Sequence, residues 1–247
     1  IHRTWPGSPP HSEIMSMDPL LRHRIPEPEL MDDPAQARAY AEADFSEPHQ
    51  AVVAHFQRLF PGFSPQQAID LGCGPADVTL RFARTFPATR FLGVDGASAM
   101  LSLGRQAVAA NELAQRLVLQ QCYLPDTKLP AGVFDAVISN SLLHHLDDPA
   151  VLWQTVRHVA GPGAAVLVMD LKRPESIEEA QCLADHYAAD APPILQHDFY
   201  HSLLAAYRPY EVRLQLDEAG LSQLQVEAVS DRHLLIWGII LETLVDR

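Results

Sequence analysis

The chain has 247 residues, of which 47% are apolar, and a formal net charge of −13 at pH 7. This length and apolar content suit one large α/β domain with an elaboration, and they suffice for a hydrophobic core. The acidic charge argues against a nucleic-acid substrate, and because no apolar run approaches the roughly 18 residues that span a bilayer, we expect a soluble protein.

The first 33 residues are rich in proline, histidine and charged side chains. We interpret them as an N-terminal extension that is partly flexible or derived from a tag, with residues 1–16 as an expression scar and a native start near Met15 or Met17. Residues 34–247 are expected to form the domain. Its first helix is predicted over Pro34–Phe45, because strong helix formers follow a proline in the first turn.

A strand, a glycine turn and a helix are predicted next. The apolar strand Gln67–Leu71 leads into Gly72-Cys73-Gly74, and an amphipathic helix follows. Glycines suit this turn because the chain reverses at dihedral angles that a Cβ penalises, and because the backbone approaches a ligand closely. A dinucleotide-binding turn would have a third glycine at Asp77, whose carboxylate would repel a pyrophosphate. The turn therefore favours a ligand without phosphates, and Asp70 can accept hydrogen bonds from a cationic ligand.

A second unit of the same kind follows, with the strand Arg90–Asp95 and another helix. In a doubly wound sheet, a carboxylate at the end of the second strand binds a ribose diol, which is the role expected for Asp95. The third and fourth strands are predicted over Arg116–Gln121 and Phe134–Asn140. The fifth strand, Ala164–Asp170, has the continuous apolar character of a parallel sheet.

Residues 171–210 are predicted to be a helical insertion. An insertion at the carboxyl end of a strand lies above the ligand crevice, where loops determine substrate choice in α/β sheets. The closing strands are predicted over Ser222–Val229 and His233–Ile240.

The motifs D-L-G-C-G-P-A-D and G-V-D-G-A-S-A-M-L resemble the first two motifs of the class I S-adenosylmethionine-dependent methyltransferases. The segments F-D-A-V-I-S-N and L-L-H-H-L are similar to the fourth-strand motif and the following helix of small-molecule members. Motif order and spacing are kept over about residues 35–240, with one departure at Ala76, where the family commonly has glycine. The resemblance implies a Rossmann-like α/β fold with a seven-stranded, mostly parallel sheet flanked by helices and closed by an antiparallel pair. An N-terminal helical lid and the helical insertion after strand five complete the expected architecture.

The resemblance also implies S-adenosylmethionine as cofactor, S-adenosylhomocysteine as product, and methyl transfer to a small-molecule acceptor by in-line displacement. The N-terminal helix is expected to cover the cofactor, with Tyr40 and Phe45 either facing the ligand or packing in the core. At the position where the family usually has an acid that contacts adenine, this chain has Cys122, so the Tyr123 ring and a backbone group are the expected adenine contacts. The implied cofactor-binding residues are Tyr40, Asp70, Gly72, Cys73, Gly74, Asp95, Gly96, Met100, Cys122, Tyr123, Asn140 and Ser141.

Methyl transfer requires a base only if the acceptor arrives protonated, as a phenol, an alcohol or an ammonium would. The predicted catalytic residues are His144 and His145 after the fourth strand, Asp170 at the end of the fifth strand and facing the crevice, and His186 in the insertion. The alternative for the histidine pair is packing or capping of the helix that follows.

The predicted substrate-binding residues are Lys172, Tyr187, His197 and Tyr200. Lys172 and Arg173 form either a solvated pair or an anion grip for the substrate.

A divalent metal in the insertion is considered as well. His197 and His201 share a helical face, and they could bind a metal together with Asp185 or His186. No acidic cluster follows the metal spacing known in the family, and the alternative is a polar lid without metal. No metal ligand is therefore predicted.

Two other functions stay open on the sequence alone. One is a methyltransferase that acts on tRNA or protein. The sequence lacks a basic patch and an Asn-Pro-Pro-Tyr type clamp after the fourth strand, and both absences count against this function. The other is a non-catalytic S-adenosylmethionine-binding protein, which only turnover distinguishes from an enzyme.

The expected partner is a small-molecule substrate, with neither nucleic acid nor membrane. A monomer and a homodimer both stay open. Cys73, Cys122 and Cys182 have no CxxC spacing, which indicates reduced thiols and a cytoplasmic location.

Overall fold

The computed structural model describes residues 23–27 and 30–241, so the predicted expression scar and both candidate start residues lie outside the described residues. The strands are β1 (Gln67–Leu71), β2 (Arg90–Asp95), β3 (Leu117–Gln121), β4 (Phe134–Asn140), β5 (Ala160–Leu171), β6 (Gln225–Ala228) and β7 (His233–Ile239). The helices are α1 (Pro34–Glu42), α2 (Ser46–Leu59), α3 (Asp77–Thr85), α4 (Ser98–Ala110), α5 (Ala150–Val159), α6 (Ile177–Tyr187), α7 (Pro193–Ala205) and α8 (Pro209–Glu218), with a 3₁₀ turn at Leu143–His145.

The seven strands form one sheet in the order β3-β2-β1-β4-β5-β7-β6. Strands β1 to β5 pair in parallel, whereas β7 runs antiparallel to both β5 and β6. This arrangement confirms the predicted fold. The strand order reverses between β1 and β4, and a ligand crevice opens at such a point outside the carboxyl ends of the strands.

Alternating side chains of the central strands bury both faces of the sheet, because successive residues of a strand point to opposite sides. On one face, Ile69 and Val137 pack with Trp153 of α5 and Leu216 of α8. The other face supplies a second cluster, formed by Ala68, Ala136 and Ile138 with Phe56 of α2 and Phe82 of α3. The helices thus form two layers that enclose the sheet.

Several element boundaries differ from prediction: β6, predicted over Ser222–Val229, spans only Gln225–Ala228, and two further differences lie in the first helix and the fifth strand. A single helix was expected over Pro34–Phe45, but α1 ends at Glu42 and α2 begins at Ser46. The break is local: the Asp44 carboxylate accepts hydrogen bonds from the Ser46 amide and hydroxyl in a tight turn between the two helices. The second of these differences lies at β5, which was predicted over Ala164–Asp170 but begins four residues earlier, at Ala160, next to an irregular register with β4.

The predicted helical insertion forms a cap of two helices, α6 and α7, over the sheet edge. Ala180 and Leu183 of α6 pack against Leu203 and Leu204 of α7 in a small core of their own. Within the described ranges, no helix combines the length and the apolar character needed to cross a membrane.

Candidate functional site

A cavity of about 1240 Å³ lies at the carboxyl ends of β1, β2 and β4. Its walls are the segment before α1, helix α1, the glycine turn, the residues after β4, and the cap. Most predicted site residues line it: Tyr40, Asp70, Gly72, Cys73, Gly74, Asp95, Gly96, Met100, Cys122, Tyr123, Asn140, Ser141, His144, His145, His186, Tyr187 and His197. The strand order brings these distant positions together, and their contacts with a cofactor or an acceptor stay predictions.

The glycine turn adopts backbone angles that favour glycine. Gly72 has φ +74° and Gly74 has φ +51°. A Cβ on Gly72 would meet Leu142 at 2.9 Å, whereas a Cβ on Gly74 would meet nothing within 4 Å. The first glycine is therefore required for close packing against the residues after β4, and the second leaves its backbone open to a ligand.

Asp95 joins the two nucleotide-binding units. One of its carboxylate oxygens accepts from the Gly74 amide at 2.8 Å, and the other accepts from the Ala97 amide at 2.8 Å. A carboxylate has further lone pairs, so these contacts orient the group and still leave acceptor positions for a diol. Burial raises the pKa of Asp95, and its two amide partners oppose that rise.

Asp70 lies at the bottom of the cavity and is 1% exposed. The Thr79 hydroxyl donates a hydrogen bond of 2.6 Å to its carboxylate. Burial raises the pKa of Asp70 to about 7, with nearby Asp95 adding to the rise and Thr79 opposing it. The Tyr40 ring closes the same region from α1, and burial raises the pKa of its hydroxyl to about 12.

Asp77, at the position where a dinucleotide-binding turn would have its third glycine, carries a full negative charge. Its Oδ2 lies 2.8 Å from His49 Nδ1 and 2.8 Å from Arg81 Nε. Burial alone would raise its pKa, but the hydrogen bonds and charges of these two partners lower the pKa of Asp77 to about 2. A pyrophosphate at this helix start would meet that charge, which agrees with a ligand without phosphates.

The predicted adenine end is formed by Gly96, Tyr123 and Cys122. A Cβ on Gly96 would lie 2.9 Å from Leu30 and 3.2 Å from the Tyr123 ring, so glycine keeps a slot open between them. Asp126 approaches the Cys122 thiol at 3.6 Å. Burial and the Asp126 charge raise the pKa of Cys122 to about 11, which keeps this group a neutral thiol.

The prediction that Asp170 faces the crevice is wrong. Asp170 is 2% exposed and lies behind the histidines, where it accepts from His144 Nδ1 at 2.6 Å and from the amides of Leu143 and Leu171. Strand alternation explains this, because Met169 and Leu171 line the cavity and the residue between them points to the opposite face. Asp170 therefore orients His144.

Glu27 is a site residue that sequence reasoning missed. Its Oε1 lies 3.5 Å from His144 Nε2 and 3.2 Å from His145 Nδ1, and it accepts from the Ser202 hydroxyl at 2.9 Å. Burial of the His144 ring lowers its pKa, but the charges of Asp170 and Glu27 outweigh that effect and raise the pKa of His144 above its usual value. No sequence signal identifies Glu27, because it belongs to a segment interpreted as an extension.

Arg24 fixes the segment that carries Glu27. Its guanidinium donates to the carbonyls of His144 and Leu146 at 2.6 and 2.7 Å and to that of Ala205 at 2.8 Å. It also lies 4.5 Å above the Tyr207 ring. The segment is thereby held against both the histidine turn and the cap.

Three predicted substrate contacts lie elsewhere. The cavity wall includes neither Lys172 nor Tyr200, and Tyr200 packs against the apolar core of the cap. Arg173 is 0% exposed and pairs with Glu211, so neither alternative considered for Lys172 and Arg173, a solvated pair or an anion grip, holds for Arg173. Arg173 instead stabilises the base of the cap.

The cap contributes rim residues to the cavity. Tyr187 donates to Asp231 at 2.8 Å, and the Arg232 guanidinium lies 3.2 Å above its ring. The rings of His197 and His201 lie 4.2 Å apart. Across the described ranges, the only His, Cys, Asp or Glu group whose ligand atoms converge as a metal site requires is Glu27, His144 and His145, so the considered set in the cap does not assemble.

Known proteins with sequences similar to this chain include methyltransferases. A family described as "Methyltransferase domain" matches residues 68–163. The trans-aconitate 2-methyltransferase of Deinococcus radiodurans is 32% identical over 128 residues, which are 50% of this chain and 45% of that protein. A ubiquinone biosynthesis O-methyltransferase of Acinetobacter baumannii is 26% identical over 162 residues, or 65% of each protein. The chain spans from about a third to two thirds of the length of the curated relatives it matches first.

Among solved structures, a SAM-dependent methyltransferase from Aquifex aeolicus superposes with a TM-score of 0.62 at 18% identity. The superposition covers 85% of this chain and 99% of that one, which establishes the shared fold. The domain match spans the glycine turn, the acid-ended second strand and the histidine turn, and the sheet is the seven-stranded, mostly parallel one that the motifs predict. Residues 68–163 therefore match a methyltransferase domain, and the chain has the fold of a SAM-dependent methyltransferase.

Proposed function

We propose that this protein transfers the methyl group of S-adenosylmethionine to a small-molecule acceptor bound beneath the helical cap. The observation that carries the proposal is the continuous cavity, which runs from the glycine turn and Asp95 to the histidine turn and the cap. One end has the features of a nucleoside site and the other end is closed by the helical cap. A donor and an acceptor can therefore lie side by side.

The residues at the glycine turn fit S-adenosylmethionine. Gly74 leaves an open backbone surface, Gly96 leaves a slot beside Tyr123, and Asp95 presents oriented oxygens for a ribose diol. Asp70, when ionised, can accept from the cofactor's ammonium group directly or through water. When bound, the cofactor supplies a methyl group already activated on a sulfonium.

The work left to the chain is positioning and exclusion of water. Tyr40 of α1 and the segment around Leu30 and Met31 cover the cavity from one side, and the cap covers it from the other. An acceptor between them is held near the histidine turn. If the acceptor carries a proton, the basic atoms that face it are those of Glu27 and His145.

The charge of the cavity wall points to a neutral or cationic acceptor. Among the described wall residues there is one arginine, Arg232, and no lysine. Nine carboxyl groups share the wall: Glu27, Glu42, Asp44, Glu47, Asp70, Asp77, Asp95, Asp190 and Asp198. A polyanion would be repelled by this surface, so an acceptor with several carboxylates, such as the trans-aconitate of the Deinococcus radiodurans relative's name, is disfavoured.

The same charge and the cap's coverage support a small molecule rather than a nucleic acid as partner. The three cysteines are present as thiols, which supports a cytoplasmic location.

Calorimetric titration with S-adenosylhomocysteine, alongside NAD, tests the cofactor assignment. We expect micromolar binding of S-adenosylhomocysteine and none of NAD. Asp95→Asn should weaken S-adenosylhomocysteine binding by about 1–3 kcal/mol, because it loses charge-assisted hydrogen bonds. Binding of NAD alone, or unchanged affinity in the variant, would contradict the assignment.

Turnover separates an enzyme from a binding protein. Formation of S-adenosylhomocysteine from S-adenosylmethionine should rise when amines, phenols or thiols are added, and should not respond to polycarboxylates. Binding without turnover of any acceptor would favour the non-catalytic alternative.

A further inference from the structure

The histidine turn brings together three side chains whose donor atoms converge more closely than the role of a general base requires. Glu27, His144 and His145 each offer one ligand atom, and these atoms all lie within 4.8 Å of one another. Glu27 Oε1 lies 3.5 Å from His144 Nε2 and 3.2 Å from His145 Nδ1. Donor atoms bound at about 2.0–2.1 Å to one tetrahedral ion are separated by about 3.3 Å, so the two separations from Glu27 already match those of metal ligands.

The surroundings of the three donors are those of metal ligands. Asp170 accepts from His144 Nδ1 at 2.6 Å, which directs Nε2 toward Glu27. A metal-bound histidine almost always donates its other ring nitrogen to a carboxylate or carbonyl in this way. The Ser202 hydroxyl likewise orients the Glu27 carboxylate.

The three donors are buried but reach the cavity. Side-chain exposure is 3% for His144, 10% for Glu27 and 15% for His145, and all three residues line the cavity wall. Two histidines and one carboxylate are a donor set of catalytic zinc and of other first-row divalent ions, with coordination positions left open. The open positions would face the acceptor.

We propose that Glu27, His144 and His145 bind a divalent first-row metal ion of the zinc type at the acceptor end of the cavity, with Asp170 positioning His144. A bound ion would coordinate an oxygen, nitrogen or sulfur atom of the acceptor and lower its pKa, so that its proton would pass to solvent water without a protein base. This role rests on the proposed function, whereas the binding of the ion does not.

The test is titration of the full chain, free of a polyhistidine tag and stripped with a chelator, with Zn²⁺ and with Co²⁺. Calorimetry should give one tightly bound ion per chain, and Co²⁺ should give the visible absorption of a low-coordinate site with nitrogen and oxygen ligands. Glu27→Gln and His145→Gln should each weaken binding by at least about tenfold. Asp170→Asn should weaken it by about 10–100-fold, as second-sphere changes do.

A double variant, His197→Gln with His201→Gln, is the matched control. It removes two neighbouring imidazoles from the same cavity, and it should keep the wild-type metal affinity. Circular dichroism checks that each variant is folded. Glu27→Gln preserves side-chain size, so it still tests the metal site if the change at the buried Asp170 prevents folding.

Two results would overturn the metal site. One is the lack of any stoichiometric metal binding to the wild-type chain; the other is metal binding that survives Glu27→Gln and His145→Gln but is lost in the control variant. Titration of the same samples with S-adenosylhomocysteine distinguishes this failure from failure of the proposed function, because cofactor binding persists if only the metal site is wrong.

Discussion

Asp70 places a titrating carboxyl group at the bottom of the cavity, where solvent does not reach it. An unfolded aspartate has a pKa of about 3.9, whereas burial raises the folded pKa of Asp70 to about 7. The folded state thus binds this proton more tightly than the unfolded state does. The free energy of unfolding must fall as pH rises between these two values, since ionisation is then easier in the unfolded chain.

Asp70→Asn isolates this effect, because asparagine keeps the contact with Thr79 but cannot ionise. We expect the stability of the wild-type protein relative to the variant to fall between about pH 4 and pH 8, by at most about 4 kcal/mol. Urea unfolding of both proteins across this range measures the difference. A difference that does not change with pH would mean that the Asp70 carboxyl has an ordinary pKa in the folded protein.

Ala76 stores strain at the start of α3. It has φ +67° and ψ +20°, a left-handed conformation that costs a residue with a Cβ about 1–2 kcal/mol, and it is fully buried. Ala76→Gly should therefore stabilise the protein by about 0.5–1 kcal/mol, after the entropy cost of glycine.

Ala97→Gly is the matched control. Ala97 is a buried alanine at the start of α4 with φ −79°, where glycine should destabilise. If both glycines destabilise in denaturant unfolding, the strain at Ala76 is absent.

At the scale of elements, the N-terminal segment acts as a strap between the histidine turn and the cap. Arg24 makes its main contacts with backbone carbonyls that belong to both, and the Ile25 amide donates to the Leu204 carbonyl at 3.0 Å. The strap presents Glu27 to the histidines. A change at Arg24 should therefore act on the site through the placement of this segment.

Arg24→Gln should loosen the strap and cost about 1–3 kcal/mol, because a charged donor leaves several buried acceptors unpaired. Hydrogen exchange should speed up at Ile25 and in α7 while the sheet stays protected. The exposed Arg38 of α1 gives the control, and Arg38→Gln should leave exchange unchanged. Equal acceleration in both variants would contradict a specific role for Arg24.

Sequence patterns predicted the sheet elements better than the surroundings of the site. Strands β1, β2 and β4 have the predicted bounds, because short, mostly apolar runs that are followed by glycine or end in a polar Asp or Asn leave little freedom. The side chain of Asp170 was predicted to face the cavity because the residue lies at the end of a strand. Its position at the strand end does not determine the face of the sheet to which the side chain points. Glu27 was not predictable, because its role depends on a chain segment that returns to β4 only in the folded protein.

The whole molecule consists of a sheet domain and a cap joined at a narrow base. The chain enters the cap at residues 172–174 and leaves it at residues 206–208. These two stretches pair directly, because the Arg173 amide donates to the Tyr207 carbonyl and Lys172 forms a parallel bridge with Tyr207. The fully buried Arg173 side chain spans this base, donating to the Ala206 carbonyl at 2.9 Å and to Glu211 at 2.5 Å. Glu211 in turn accepts from the Arg208 amide at the start of α8. The buried Arg173–Glu211 ion pair therefore couples the cap to the sheet domain, beside a second pair between Arg208 and the exposed Glu175.

Removing one partner of such a pair leaves the other uncompensated, so Arg173→Met should destabilise the protein by about 3–5 kcal/mol. Glu211→Gln should cost less, because Glu211 is 22% exposed and glutamine can still accept from Arg208. In the double variant the second change should add little to the first, which gives a coupling energy of about 1–3 kcal/mol in a double-mutant cycle. Thermal unfolding should also separate into two steps in Arg173→Met, with the cap melting first. Additive effects and a single unfolding step would show that the cap is held by its apolar contacts alone.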